Sequence, residues 1–303
     1  MHAWDVVGVG AVSVDLVGAV PHWPEPGTKL RLETLELCDG GLIGTALVAV
    51  SRLGGRACYL GKMGQSEWAV RALRELERDG VDVSLVIREE GSGPHLAMVL
   101  TLESDGQRTI FYSKEAVRYP DVTAVSDASW VGRTRVLLFD GGSGSGGLSF
   151  ARKAREAGIP VVIDAEQLIP GLGELLEGAD HMVIPEGFAE QLDPGWNREA
   201  DPGRLRVRSD QTVVVTLGAD GCIASAPGEA VVRLPAFNVE VMDTTGCGDV
   251  FHGAYALGLA RGLDLETRCR WASAAAAIAA TRLGGRDGIP GEAVVETFLR
   301  ARS

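Results

Sequence analysis

Cysteine is scarce and unpatterned in this sequence: five stand in 303 residues, at Cys38, Cys58, Cys222, Cys247 and Cys269, with no CxxC pair. An odd set without that spacing offers neither a disulfide framework nor a zinc site, and points to a reducing, cytoplasmic setting. Basic residues are outnumbered, with 29 Lys plus Arg against 41 Asp plus Glu and a formal net charge of −12. A chain this acidic has no general electrostatic attraction for nucleic acid or for an anionic membrane surface; a local basic pocket remains open. Long apolar runs are missing as well. The most apolar stretch, residues 271–280, is about half as long as a membrane span requires and reads as a buried helix. The opening MHAWDVVGVGAV has no basic n-region and carries Asp5 early, unlike a secretory leader. No linker, low-complexity segment or internal repeat interrupts the chain, so residues 1–303 read as one domain.

What is present is the composition of a globular protein, 46% hydrophobic and 23% charged, with 40 glycines that suit many tight turns. An apolar run at 6–12 predicts a buried strand. Residues 13–38 alternate polar and apolar positions around Pro21, Pro24 and Pro26, and predict short strands outside the main sheet. Gly40 and Gly41 open a helical pattern that stops at Gly54 and Gly55. SEWAVRALRELERDG predicts a helix capped by Ser66 and ended by Gly80. Two β-like runs flank Ser104, Asp105 and Gly106, a hairpin signal. From about 134, apolar strands alternate with helices in the rhythm of a parallel sheet, and a glycine/serine loop is expected at 141–147. From 248 on the chain is nearly all helix. The fold class is therefore α/β. The segments at about 13–38 and 93–114 leave the sheet and can pair into a small β lid.

The sharpest feature is DTTGCGDVFHGA, residues 243–254. Gly246, Cys247 and Gly248 can turn the backbone so that their amides converge, and the helix that follows adds its N-terminal dipole. Such a nest favours anions, phosphate in particular. Asp249 at its mouth has two readings. It is an ordinary helix N-cap, or it is a general base that takes a proton from a hydroxyl attacking phosphorus while the nest stabilises the transferred group.

The segment resembles the C-terminal signature of the PfkB, or ribokinase-like, carbohydrate kinases, Asp-Thr-x-Gly-Ala-Gly-Asp followed by x-Phe-x-Gly-Ala, with Cys247 in place of the usual Ala. The resemblance extends over nearly the whole chain. It implies a three-layer αβα fold with a mostly parallel sheet and a β lid. It implies ATP-dependent phosphoryl transfer, Asp249 as base, and the amides of Gly246, Cys247 and Gly248 as the anion hole. VVGVGAVSVDLV is similar to the family's first strand, which makes Asp15, with Ser13 nearby, a ligand for a sugar diol. Gly40 and Gly41 match its diglycine beside the sugar. TLGADG implies that Thr216, Gly218 and Gly221 line the nucleotide, and the alanine-rich helix around Ala276 would pack its adenine. TRLGGRDGIP, with Arg282 and Gly285, resembles the loop that joins Asp243 and Thr245 in holding a monovalent cation, K⁺. Magnesium is required by the chemistry; Glu186 falls in the region of its usual environment.

The pattern also departs. Thr45 stands where the family carries an asparagine close to the sugar, and Glu186 and Glu190 lack the accompanying asparagine. Ser66 and Ala69 replace the usual Asp and Gly of a further glycine motif. The diglycine followed by Thr45 and Ala46, DVFHGA and TRLGGRDGIP together are similar to the sulfofructose-kinase-like and ketohexokinase-like branch. Lys29 on the lid can pair with a sulfonate or phosphate, or it is solvated. No arginine stands in the 141–147 loop to read a sulfonate, which favours a neutral sugar or polyol. Competing expectations are a nucleoside or a phosphorylated or sulfonated sugar as acceptor, and a non-catalytic sugar- or nucleotide-sensing protein. A Rossmann dehydrogenase is disfavoured, because Ser13 stands where the third glycine after Gly8 and Gly10 would be. Apolar lid faces predict a homodimer through the lid.

Overall fold

The computed structural model describes residues 2–104 and 108–302. Strand β1 (Trp4–Val9) is followed by β2 (Ser13–Val20) and β3 (Leu35–Gly40), then helix α1 (Leu42–Arg52). Next come β4 (Ala57–Tyr59), β5 (Lys62–Met63), α2 (Glu67–Arg78), β6 (Ile87–Arg88), β7 (His95–Leu102) and β8 (Arg108–Ser113). A short helix α3 (Asp127–Trp130) leads to β9 (Thr134–Asp140), α4 (Gly144–Glu156), β10 (Val161–Asp164), α5 (Leu172–Gly178), β11 (His181–Pro185) and α6 (Glu186–Leu192). Strands β12 (Thr212–Thr216), β13 (Cys222–Ser225) and β14 (Val232–Leu234) precede three helices, α7 (Cys247–Ala260), α8 (Leu265–Ala279) and α9 (Glu292–Arg300).

The fold is α/β. Eight strands form the main sheet in the order β14-β13-β12-β11-β10-β9-β1-β4, parallel from β12 to β4 and antiparallel at the β13 and β14 edge. Its strands are apolar on both faces because helices cover both. In β12, Val214 packs into the layer built on α1, α2, α7 and α8, whereas Val213 and Val215 enter the layer of α4, α5 and α6. That arrangement explains why the strands are continuous Val and Ile runs without alternation.

The second sheet has the order β3-β2-β7-β8. Strand β2 lies between β3, antiparallel, and β7, parallel, and β8 closes the edge antiparallel to β7. Its two faces carry different chemistry. Ser13, Asp15 and His95 share one face with Gly40, whereas the register row Leu37, Leu16, Met98 and Phe111 runs across all four strands on the other. Leu37, Met98 and Phe111 are exposed.

Local signals explain most boundaries. Ser66 Oγ accepts from the Ala69 amide at 3.2 Å and caps α2, and Gly80 ends it with φ of 81°. The β7–β8 pairing is antiparallel, as a hairpin requires, but Asp105 and Gly106 lie outside the described residues. The expected glycine/serine loop at 141–147 is instead a 3₁₀ turn, Gly141–Ser143, running into α4. The carboxylate of Asp140 accepts from the Ser143 amide at 2.8 Å and supplies the start that the composition hides. Among the described residues no helix is long and apolar enough to cross a membrane.

Candidate active site

Helix α7 begins at Cys247, directly after Gly246, whose φ of 72° is left-handed. A Cβ at 246 would stand 2.7 Å from the Gly285 carbonyl, so the turn admits only glycine and packs on the 281–290 loop. The first-turn amides of a helix have no carbonyl four residues back. Here the Cys247 amide closes onto the Thr244 carbonyl at 3.2 Å, and the Cys247 thiol turns back to the Asp243 carbonyl at 3.9 Å. Asp249 is the third helical residue, and no side chain caps α7, so the N-cap reading of Asp249 is wrong.

Behind Asp249 stands a row of carboxylates at the C-terminal ends of adjacent parallel strands. Asp140 ends β9, Asp164 ends β10, and Glu186 follows β11. This edge is where open α/β sheets bind ligands. His252, one turn further along α7, faces the Gly248 carbonyl with Nδ1 at 2.7 Å. Its Nε2 faces the Val183 carbonyl at 3.0 Å and Asp164 at 3.4 Å, which fixes α7 over β10 and β11. Burial lifts the Asp249 carboxyl well above the ordinary carboxylate range; the charges of Asp164 and Glu166 lift it further, against His252 and Arg286. Asp164 is buried, neither of its oxygens has a hydrogen-bond partner, and burial raises it too. Asp140, pushed up to about 6 chiefly by burial, accepts from the Ala11 amide at 2.5 Å and so holds the turn after β1.

The lid supplies the second cluster. Asp15 hydrogen-bonds to Ser13, and its Oδ1 is buried without a partner. Burial raises its carboxyl. A Cβ at Gly40 would strike this carboxylate and would lie 2.8 Å from Ser13 Oγ. Gly41, at φ of 88°, lies where a Cβ would come within 2.6 Å of the Ala11 carbonyl. Thr45 is buried in α1 with its amide on the Gly41 carbonyl at 2.8 Å.

Arg286 ties the two clusters together; it lies within TRLGGRDGIP, but no role for it was legible there. Its Nη2 donates to the Gly40 carbonyl at 2.7 Å, while Nε and Nη1 are buried without partners. Its charge acts on Asp39 and Asp79 and, further along, on Asp15 and Asp249. A contact between His95 and Tyr119, Nε2 to Oη at 3.1 Å, was also missed. Both residues look like ordinary strand and loop positions in the sequence.

Beyond β12, Thr216 ends the strand, and Gly218 and Gly221 turn the chain with φ of 59° and 102°. The Leu217 amide closes this turn on the Gly221 carbonyl at 2.8 Å. Ala276 is half-buried on α8. Asp243 Oδ1 accepts from the Thr245 amide and hydroxyl at 2.8 and 2.7 Å, and its Oδ2 accepts from the Gly284 amide at 3.0 Å. Two expected residues are exposed. Lys29 is exposed in the segment between β2 and β3, and the Arg282 side chain is exposed. Glu186 is held by Arg198, which draws its carboxyl below the usual range.

Residues 4–291 match the profile of the pfkB family carbohydrate kinases. The ribokinase of Bacillus subtilis (strain 168) is 26% identical over 298 residues, covering 96% of this chain and 98% of its own. The aminoimidazole riboside kinase of Salmonella typhimurium is 28% identical over 317 residues, covering 97% of this chain and 95% of its own. The solved structure of Arabidopsis thaliana ribokinase, complexed with ribose and ATP, superposes with a TM-score of 0.85 at 24% identity and covers 99% of both chains.

Proposed function

Because the chain belongs to the pfkB family of carbohydrate kinases, we propose that it transfers the γ-phosphoryl group of ATP to a hydroxyl of a neutral sugar or polyol. One observation carries this reading: Asp249 stands in the first turn of α7 without capping it, its carboxyl raised, beside a left-handed glycine turn. A carboxylate placed there repels phosphate and makes sense as a base. Asp15 accepts hydrogen bonds from acceptor hydroxyls through its unpartnered Oδ1, and Gly40 and Gly41 let the acceptor approach the backbone. Asp249 takes the proton of the attacking hydroxyl. The new O–P bond forms as the bond to ADP breaks, and the first-turn amides receive the negative charge of the transferred group. Thr216, Gly218 and Gly221 line the nucleotide, with Ala276 beside its base. Closure of the four-stranded sheet over the acceptor excludes water, so the whole chain works as one domain.

Magnesium would neutralise the phosphate oxygens during transfer; Glu186 is the carboxylate on the nucleotide side that suits it. Asp243, Thr245 and the carbonyls of Arg282 and Gly285 would offer oxygen ligands only, which suit a hard monovalent cation such as K⁺. A nucleoside acceptor is the second reading, favoured by the 28% identity to a riboside kinase. ADP release with a panel of ketoses, aldoses, nucleosides and sugar acids, with and without K⁺, tests both. Best turnover on a sugar acid would overturn the neutral-acceptor assignment.

The raised Asp249 carboxyl sets a pH dependence. A base must be deprotonated, so kcat falls as pH drops through its pKa, and that acid limb lies above the ordinary carboxylate range. Glu166 is exposed and contributes to the elevation. E166Q is therefore expected to move the limb to lower pH, read from log kcat against pH. An unmoved limb refutes the electrostatic account.

The apolar row on the outer lid face suits a second copy of this chain, and it leaves Ser13 and Asp15 free on the opposite face. A dimer is expected at micromolar concentration in sedimentation, and F111D should shift it to monomer. A wild-type monomer would contradict lid pairing.

A further inference from the structure

Arg198 lies in the connection between α6 and β12, where no motif draws attention to it. Its guanidinium nevertheless spans two carboxylates. Nε and Nη2 donate to both oxygens of Glu186 at 2.5 and 2.7 Å, and Nη1 donates to Asp220 at 2.7 Å. The backbone behind it is pinned. Arg233 of β14 donates to the carbonyls of Arg198, Glu199 and Ala200. A solvated arginine in a long connection gains no such support by chance placement.

The location gives the arrangement its meaning. Pro185 and Thr216 are register partners at the C-terminal ends of parallel neighbours, and Glu186 and the Gly218–Asp220 turn follow them directly. The side chains of Glu186 and Asp220 are 25% and 60% exposed, so both carboxylates reach solvent. Arg198 is itself about half exposed there, at 47%. This is the edge along which the kinase reading runs the polyphosphate. Two carboxylates facing that path would repel a polyanion, and Arg198 leaves one net negative charge instead of two.

We propose that Arg198 is a built-in counter-cation of the nucleotide site, holding Glu186 and Asp220 until Mg²⁺ arriving with the nucleotide displaces it from Glu186. The inference rests on the kinase reading above. Mg²⁺ prefers carboxylate oxygen. Once Glu186 is taken, the fork of Nε and Nη2 is freed, and its geometry matches a phosphate. Arg198 is thus a positioning residue that couples metal and nucleotide binding.

Calorimetric titration of ADP, with Mg²⁺ and with EDTA, tests this on wild type, R198Q, R198K and E186Q/R198Q. R198Q exposes both carboxylates, so the ratio of metal-free to Mg²⁺ dissociation constants should rise about tenfold, within the usual range of site–site coupling. R198K keeps the charge without the fork and should fall between. The double variant removes one exposed charge and should return towards the wild-type ratio. A ratio unchanged in R198Q, even with a lowered Tm, would mean that Arg198 only fastens a loop, and the proposal fails. Wild type that binds no ADP in either condition would sink the kinase reading and this inference together.

Discussion

D249N is expected to lower kcat by about 10²–10⁴-fold, the range in which a positioned general base operates, while ADP binds as tightly as before. The substitution is nearly isosteric, so Gly246, Cys247 and Gly248 keep their places and α7 keeps its contact with β10 and β11 through His252. Only the proton acceptor is lost. Removing a negative charge beside the phosphate path also removes repulsion, so nucleotide affinity should hold or improve. Single-turnover rates and calorimetric ADP binding measure the two halves separately. Near-normal turnover in D249N would end the base assignment, and loss of ADP binding would show that Asp249 shapes the helix start instead.

D15A is expected to raise the KM for the acceptor about 100-fold with a smaller effect on kcat. Hydrogen bonds to a charged partner contribute about 1.5–3 kcal/mol each, and each 1.4 kcal/mol is about tenfold in affinity. The same substitution carries an opposite expectation for stability. Asp15 Oδ1 is buried without a partner in the free protein, and burial raises the carboxyl. A group with a raised folded pKa stabilises most below its unfolded pKa, and that contribution fades as pH rises through the folded value. At neutral pH, removing the buried carboxylate should leave Tm unchanged or raise it, the signature of a residue kept for binding at a cost in stability. A lowered Tm with unchanged KM would make Asp15 a structural residue.

These residues were legible for a physical reason. Gly246, Cys247, Gly248 and Asp249 act through backbone shape over four consecutive positions, so their meaning is local. The Ser66 cap and the Val-rich strands are local in the same way. What escaped was either disguised by composition or assembled over distance. Helix α4 runs through Gly146 and Gly147 although glycine disfavours a helix, because Asp140 and the packing of Leu148 and Phe150 decide the matter, while Gly144 opens it at a φ of 56° that suits glycine. Arg198 meets Glu186 and Asp220 only because β11 and β12 are neighbours. Arg286 reaches Gly40 across most of the chain length, and no periodicity announces such a contact. The family likeness also led to Lys29 and Arg282, whose side chains are exposed.

The parallel pairing of β2 with β7 and of β1 with β9 has a consequence for how the chain comes to be folded. Trp4–Val9 is made well before one of its neighbours, Thr134–Asp140, emerges from the ribosome. Non-local pairing of this kind is slow, and it leaves apolar strands unpaired in the meantime. Asp15 precedes Asp249 and Arg286 by more than two hundred residues, so these side chains meet only after the chain through 286 has been synthesised. A chain interrupted before β9 would therefore carry unpaired apolar β segments, and its fate would rest with chaperones and proteases.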